Sequence, residues 1–125
     1  MIKFTAMNRK VSIDLEPGLY DFASASATGK TFLVKMIKSI NDSKKIAITY
    51  SDILLGISLE KIMERSPELL VLDRFDMYDS ESDFLKNFKN NSCVVIVDYK
   101  TQRNFCEFDD TCFVTLKENE VEVSL

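Results

Sequence analysis

A chain of 125 residues, 46% hydrophobic and 29% charged, is long enough to bury one core and too short for two, so a single domain over 1–125 is expected. Three glycines and two prolines exclude a collagenous or low-complexity chain. A formal charge of −4 with no basic block argues against a broad nucleic-acid-binding face, although a concentrated anion site stays compatible with it.

The longest apolar runs, 69–72 and 93–97, fall far below the roughly 18 residues that cross a bilayer. The first ten residues lack the apolar centre of a signal peptide, so no membrane association and a cytoplasmic location are expected. Cys93, Cys106 and Cys112 form an odd set without CxxC spacing, best read as core residues. The absence of His removes the commonest zinc ligand together with Ser-His-Asp and Cys-His catalysis.

Along the chain, 2–6 and 11–15 alternate with period two and predict an antiparallel pair of strands. Pro17-Gly18 marks a turn, Pro presetting φ and Gly permitting positive φ, before a third strand over 19–23. Phe32, Leu33, Val34, Met36, Ile37 and Ile40 recur at helical spacing and predict a helix over 30–40 with a wide buried face. A β-prone run over 45–50 and a short helix over 58–65, stopped by Pro67, follow. Tyr50, Ser51 and Asp52 close that strand, with Ser51 or Asp52 equally placed to cap a helix.

Residues 69–73 and 93–98 are continuous apolar runs ending in acid, the pattern of parallel strands covered on both faces. Between them, Ser80 and Asp83 resemble a capping box opening a helix that carries Phe84, Leu85 and Phe88. Residues 112–116 and 121–124, joined by a polar turn, predict a terminal hairpin.

The chemistry concentrates at Ser24-Ala25-Ser26-Ala27-Thr28-Gly29-Lys30-Thr31, between a predicted strand and a predicted helix. A phosphate-binding loop occupies that position because N–H groups at a helix N-terminus lack partners and the macrodipole favours an anion. Lys30 then reaches terminal phosphates and the Thr31 hydroxyl ligates Mg2+. Against G-x-x-x-x-G-K-[ST], Ser24 stands in place of the first Gly, which reshapes the loop or weakens its phosphate affinity. Asp73 is placed to hold Mg2+ opposite the Thr31 hydroxyl, and Asp98 ends the next apolar strand at the same sheet edge.

These motifs resemble P-loop NTPases, and more narrowly a miniature of the ATP-binding cassette (ABC-type) ATPase domain. Residues 11–20 resemble the strand, Pro-Gly turn and strand leading into that family's Walker A loop, and 66–73 its Pro-Glu run into the Walker B strand. Residues 93–98 resemble the strand before its switch histidine, and 108–121 its closing strand, turn and strand. The resemblance implies an α/β, three-layer P-loop core with a mostly parallel sheet, antiparallel N-terminal strands and a C-terminal β-hairpin. It assigns residues 24–31 to the nucleotide and Thr31 and Asp73 to Mg2+ with ATP or GTP.

The departures are equally specific. Arg74 stands where the family carries its catalytic glutamate, and a cation cannot take a proton from water. Asp98 or Tyr99 occupies the neighbourhood of the switch histidine, and some fifteen residues between Tyr50 and Ser66 replace the helical subdomain and signature. Met7 and Asn8 stand where an adenine-stacking aromatic is wanted.

Asp73-Arg74-Phe75 is also similar to the Asp-Arg-aromatic motif of thymidylate-type nucleotide kinases, with Arg103 as the only late arginine for a lid. The leading expectation is a small nucleotide-binding switch or regulatory partner of another protein, or a homodimer, with weak or absent hydrolysis. The alternatives are an active ATPase or nucleotide-kinase-like phosphotransferase, with Asp76 or Asp98 as stand-in base, and a pseudo-NTPase interaction module that binds no nucleotide.

Overall fold

The computed structural model describes residues 1–22, 27–78, 82–86, 92–101 and 107–125. Strands β1 (Ile2–Ala6), β2 (Arg9–Asp14) and β3 (Gly18–Phe22) open the chain, and helix α1 (Ala27–Ile40) follows. Next come β4 (Lys45–Ile48), α2 (Tyr50–Leu54), α3 (Leu59–Glu64), β5 (Leu69–Leu72) and a single 3-10 turn, Phe75–Met77. Helix α4 (Ser82–Lys86), β6 (Val94–Val97), β7 (Asp110–Leu116) and β8 (Glu120–Ser124) complete the order. Ser80, Phe88, Arg103 and Cys106 lie outside the described residues.

Eight strands form one sheet in the order β1-β2-β8-β7-β3-β6-β5-β4. Five of its seven pairings are parallel, while β1 with β2 and β7 with β8 run antiparallel, as the alternating patterns at both ends predict. The parallel register of β2 on β8, Val11 beside Val121 and Ile13 beside Val123, joins the two ends of the chain. Strands β5 and β6 are buried along their whole length, which is why their sequences are uniformly apolar.

Side chains alternate between two cores. One face sets Tyr20, Phe22, Val71 and Ile96 against Leu33, Val34, Met36 and Ile37 of α1, and Val11, Ile13, Val121 and Val123 complete that cluster. The other face sets Leu70, Leu72, Val95 and Val97 against Leu59 and Ile62 of α3, Phe75, Tyr78 and Leu85 of α4. Helix α1 packs against β4 and also against β1, the opposite edge strand, so the sheet curls around it. Lys45 of β4 accordingly holds its ammonium 6.0 Å from the ring centre of Phe4 on β1, and the Arg9 guanidinium sits 4.9 Å over Phe32.

Two local expectations are corrected, at residues 50–52 and at Gly18. Tyr50, Ser51 and Asp52 belong to α2 rather than to a strand end, and Thr49 is its N-cap residue. The Asp52 carboxylate accepts from the Thr49 N–H at 2.8 Å and from the Lys38 ammonium at 2.6 Å, so the acid closes the helix start and ties it to α1. Gly18 adopts no positive φ; the lack of a side chain is what matters, because a Cβ there would lie 2.8 Å from the Asp109 carboxylate that accepts the Leu19 N–H. Cys93 and Cys112 are buried and free, and burial pushes their thiols up to about 11 and about 12. No helix among the described residues is long and apolar enough to cross a membrane.

Candidate functional site

Helix α1 starts at Ala27, three residues earlier than its apolar spacing indicates, so Lys30 falls in the first turn, where backbone N–H groups have no intrahelical acceptor. Of the predicted loop, Ser24, Ala25 and Ser26 lie outside the described residues, and the helix takes Ala27 to Thr31. The chain leaves β3 through α1 on one face to reach β4, whereas β6 leads to β7 on the other side of β3, with Tyr99 and Phe108 packed on the opposite core. The two connections therefore part beside the β3–β6 pair, the place where open α/β sheets leave a crevice at their carboxyl ends.

Backbone pairing continues one step past the strand ends and sets both acids at that edge. The Asp73 N–H donates to the Ile48 carbonyl at 2.9 Å, and the Asp98 N–H donates to the Leu72 carbonyl at 2.9 Å. Lys30, Thr31, Asp73, Arg74, Asp98, Tyr99 and Lys100 line one cavity of about 310 Å³. Side chains 43 and 68 residues beyond Lys30 in the sequence thus share a space with it.

Within the cavity, the Lys30 ammonium lies 2.9 Å from Oδ1 of Asp98, and both residues are buried. It also stands 6.0 Å from the Phe22 ring centre, so the cation is framed by a carboxylate and an aromatic face. Burial raises the pKa of Asp73, the negative charge of Asp98 adds to the rise, and Arg74 opposes it. A half-buried carboxylate whose charge is penalised is a place where an added cation gains. Asp73 and the Thr31 hydroxyl offer the oxygen donors that a hard divalent cation prefers. No trio of His, Cys, Asp or Glu is grouped for a metal among the described residues.

Asp76 is bonded to two of the lining residues, Arg74 and Lys100. Its carboxylate accepts from Nε and Nη2 of Arg74 and from the N–H groups of Lys100 and Thr101, all at 3.3 Å. Burial pushes its pKa up, but those four donors outweigh burial and hold it low. An acid so engaged is a poor proton acceptor; it positions Arg74 and the 100–101 backbone at the rim. The Asp21 carboxylate similarly accepts from the Tyr99 hydroxyl at 3.0 Å and the Thr111 hydroxyl at 2.7 Å, fixing the residue after Asp98 to β3 and β7.

The sequence reading named Arg74 and Tyr99 only at the positions of the catalytic glutamate and the switch histidine and passed over Lys100, although each follows closely on an acid ending an apolar strand. No protein-family model, curated protein or solved structure matches this chain. The class its described residues define is an α/β protein with a curled, mostly parallel sheet and a mixed-charge cavity at the strand ends.

Proposed function

We propose that this chain binds the phosphates of ATP or GTP with Mg2+ in the cavity at the start of α1, and hydrolyses them slowly or not at all. The observation that carries the reading is the meeting of Lys30, Thr31, Asp73 and Asp98 in one cavity at the parting of the β3 and β6 connections. Lys30 and the first-turn N–H groups of α1 would hold phosphate oxygens; Thr31 and Asp73 would hold Mg2+, which neutralises phosphate charge when bound.

Weak hydrolysis is supported by what surrounds the reacting position. Arg74 follows Asp73, Asp98 is engaged by Lys30, and Asp76 by four donors, so of these three acids among the described residues Asp73 alone is not so engaged. A protein of this kind acts as a nucleotide-dependent switch or as a regulatory partner of another protein.

Calorimetric titration with ATP, ADP and a non-hydrolysable ATP analogue in Mg2+ tests the reading. Wild type is expected to bind all three, and Lys30→Ala to lose at least tenfold in affinity. Because Lys30→Ala strands a buried carboxylate, Thr31→Ala, which keeps the ion pair, is measured beside it and should weaken binding in Mg2+. Unchanged affinity in both folded variants would refute a phosphate site. No binding by wild type would leave the scaffold as an interaction surface.

A further inference from the structure

The Lys30–Asp98 pair is the most enclosed ion pair among the described residues, with 8% and 11% of its side chains exposed. The backbone of Asp98 is held on both sides, its N–H by the Leu72 carbonyl at 2.9 Å and its carbonyl by the Phe75 N–H at 2.7 Å. The carboxylate therefore leaves Lys30 by turning about its own side-chain bonds, with the backbone in place. One ammonium cannot give its full charge to a carboxylate and a phosphate at once, so an anion entering beside Lys30 competes with Asp98.

We infer that Asp98 occupies on Lys30 the place of the ligand's phosphate, and that this makes the cavity select a triphosphate accompanied by a divalent cation over the same triphosphate alone. The inference rests on the phosphate-site reading above. A carboxylate displaced from Lys30 is left enclosed in a cavity it shares with Asp73 and the incoming phosphates, and like charges at low solvent access repel strongly. A divalent cation arriving with the triphosphate gives both acids a counter-charge. Asp98 thereby couples the two ligands, and the coupling is reciprocal: each raises affinity for the other by the same factor. A singly charged anion has no such advantage over the resident carboxylate.

The test titrates ATP with EDTA and ATP with excess Mg2+ into wild type, Lys30→Ala and Asp98→Asn, with a melting curve for each. Asn keeps the shape and an oxygen for the ammonium but removes the charge. Wild type should bind metal-free ATP at least tenfold more weakly than Mg·ATP. Asp98→Asn should tighten metal-free ATP about tenfold and change Mg·ATP much less, closing most of the gap. Asp98→Ser is read in the same way should Asp98→Asn fail to fold. Binding by the variant but not by wild type would also support an occupied lysine.

A folded variant that binds metal-free ATP no more tightly than wild type, while wild type binds Mg·ATP through Lys30, overturns the inference and leaves the phosphate site standing. Absence of binding by every folded protein in both conditions overturns the phosphate site, and this inference with it.

Discussion

Asp73 holds a half-buried carboxylate whose pKa is raised by burial and by Asp98. In the folded state its ionised form costs stability at neutral pH, since a carboxyl pKa raised above its unfolded value binds protons more tightly in the native protein. Below the ordinary Asp value of about 3.9 both states are protonated and the cost vanishes. Asp73→Asn is therefore expected to raise the melting temperature at pH 7, with the gain shrinking as the pH falls towards about 4 and absent below it, and to lose Mg2+-dependent ATP affinity. Melting curves across pH, paired with calorimetry, check both halves. A variant less stable at pH 7 would show that Asp73 is held by attraction.

Lys30, Thr31, Asp73 and Asp98 were legible from residue type, spacing and position at strand and helix ends. The ion pair of Lys30 with Asp98 was not, because 68 residues separate them and only the order of β3 and β6 brings them together. The occupation of Asp76 was equally hidden, since two of its four donors come from backbone N–H groups 24 and 25 residues on.

Among the elements, the turn after β5 is the one on which the site depends. The Tyr78 hydroxyl donates to the Asp73 carbonyl at 2.8 Å and lies 3.2 Å from the Ile48 carbonyl, while its ring meets Phe75 edge-on at 5.1 Å between centres. Burial and the surrounding carboxylates raise the Tyr78 pKa, so the hydroxyl stays protonated as a donor. Arg74 has a φ of 48°, a left-handed backbone unusual for a residue with its side chain, and the contacts of Tyr78 and Asp76 hold the turn around it. Tyr78→Phe is expected to cost about 1–2 kcal/mol, measured by urea denaturation, through loss of a buried hydrogen bond. A cost near zero would show that the ring packing alone supports the turn.

Helix α1 illustrates why element boundaries are harder to read than element identity. Its apolar residues mark the buried face, but Ala27, Thr28 and Gly29 of the first turn carry no such pattern and read as loop. Helix α2 went unread because five residues without one buried side chain show no periodicity; its start depends on the Thr49–Asp52 contacts.

At the scale of the molecule, the curled sheet makes the chain ends part of the same core as the site helix. Ile13 is fully buried, pairs with Ile2 and Val123, and shares a cluster with Leu33 and Ile37 of α1. Ile13→Ala is expected to lower stability by about 2–5 kcal/mol, the cost of a large apolar side chain removed from a packed core. Its effect should be non-additive with Val123→Ala in a double-mutant cycle, because the two residues are neighbours. Denaturant unfolding followed by circular dichroism is expected to show one transition. A first step carrying the β1, β2 and β8 signal alone would mean that the terminal strands form a separate unit.

The sequence by itself determined most of the elements and their kinds, α2 excepted: period two at the ends, period 3.6 over α1, and uniformly apolar β5 and β6 closed by acids. Those signals are local, arising from how side chains alternate about a strand or wind about a helix. Tertiary structure alone decided the parallel union of β2 with β8, the wrapping of α1 by both sheet edges, and the burial of Lys30 against Asp98. Each of these joins residues distant in sequence, and such pairings follow from the sheet's strand order and from the geometry of closing one core, which no local pattern encodes.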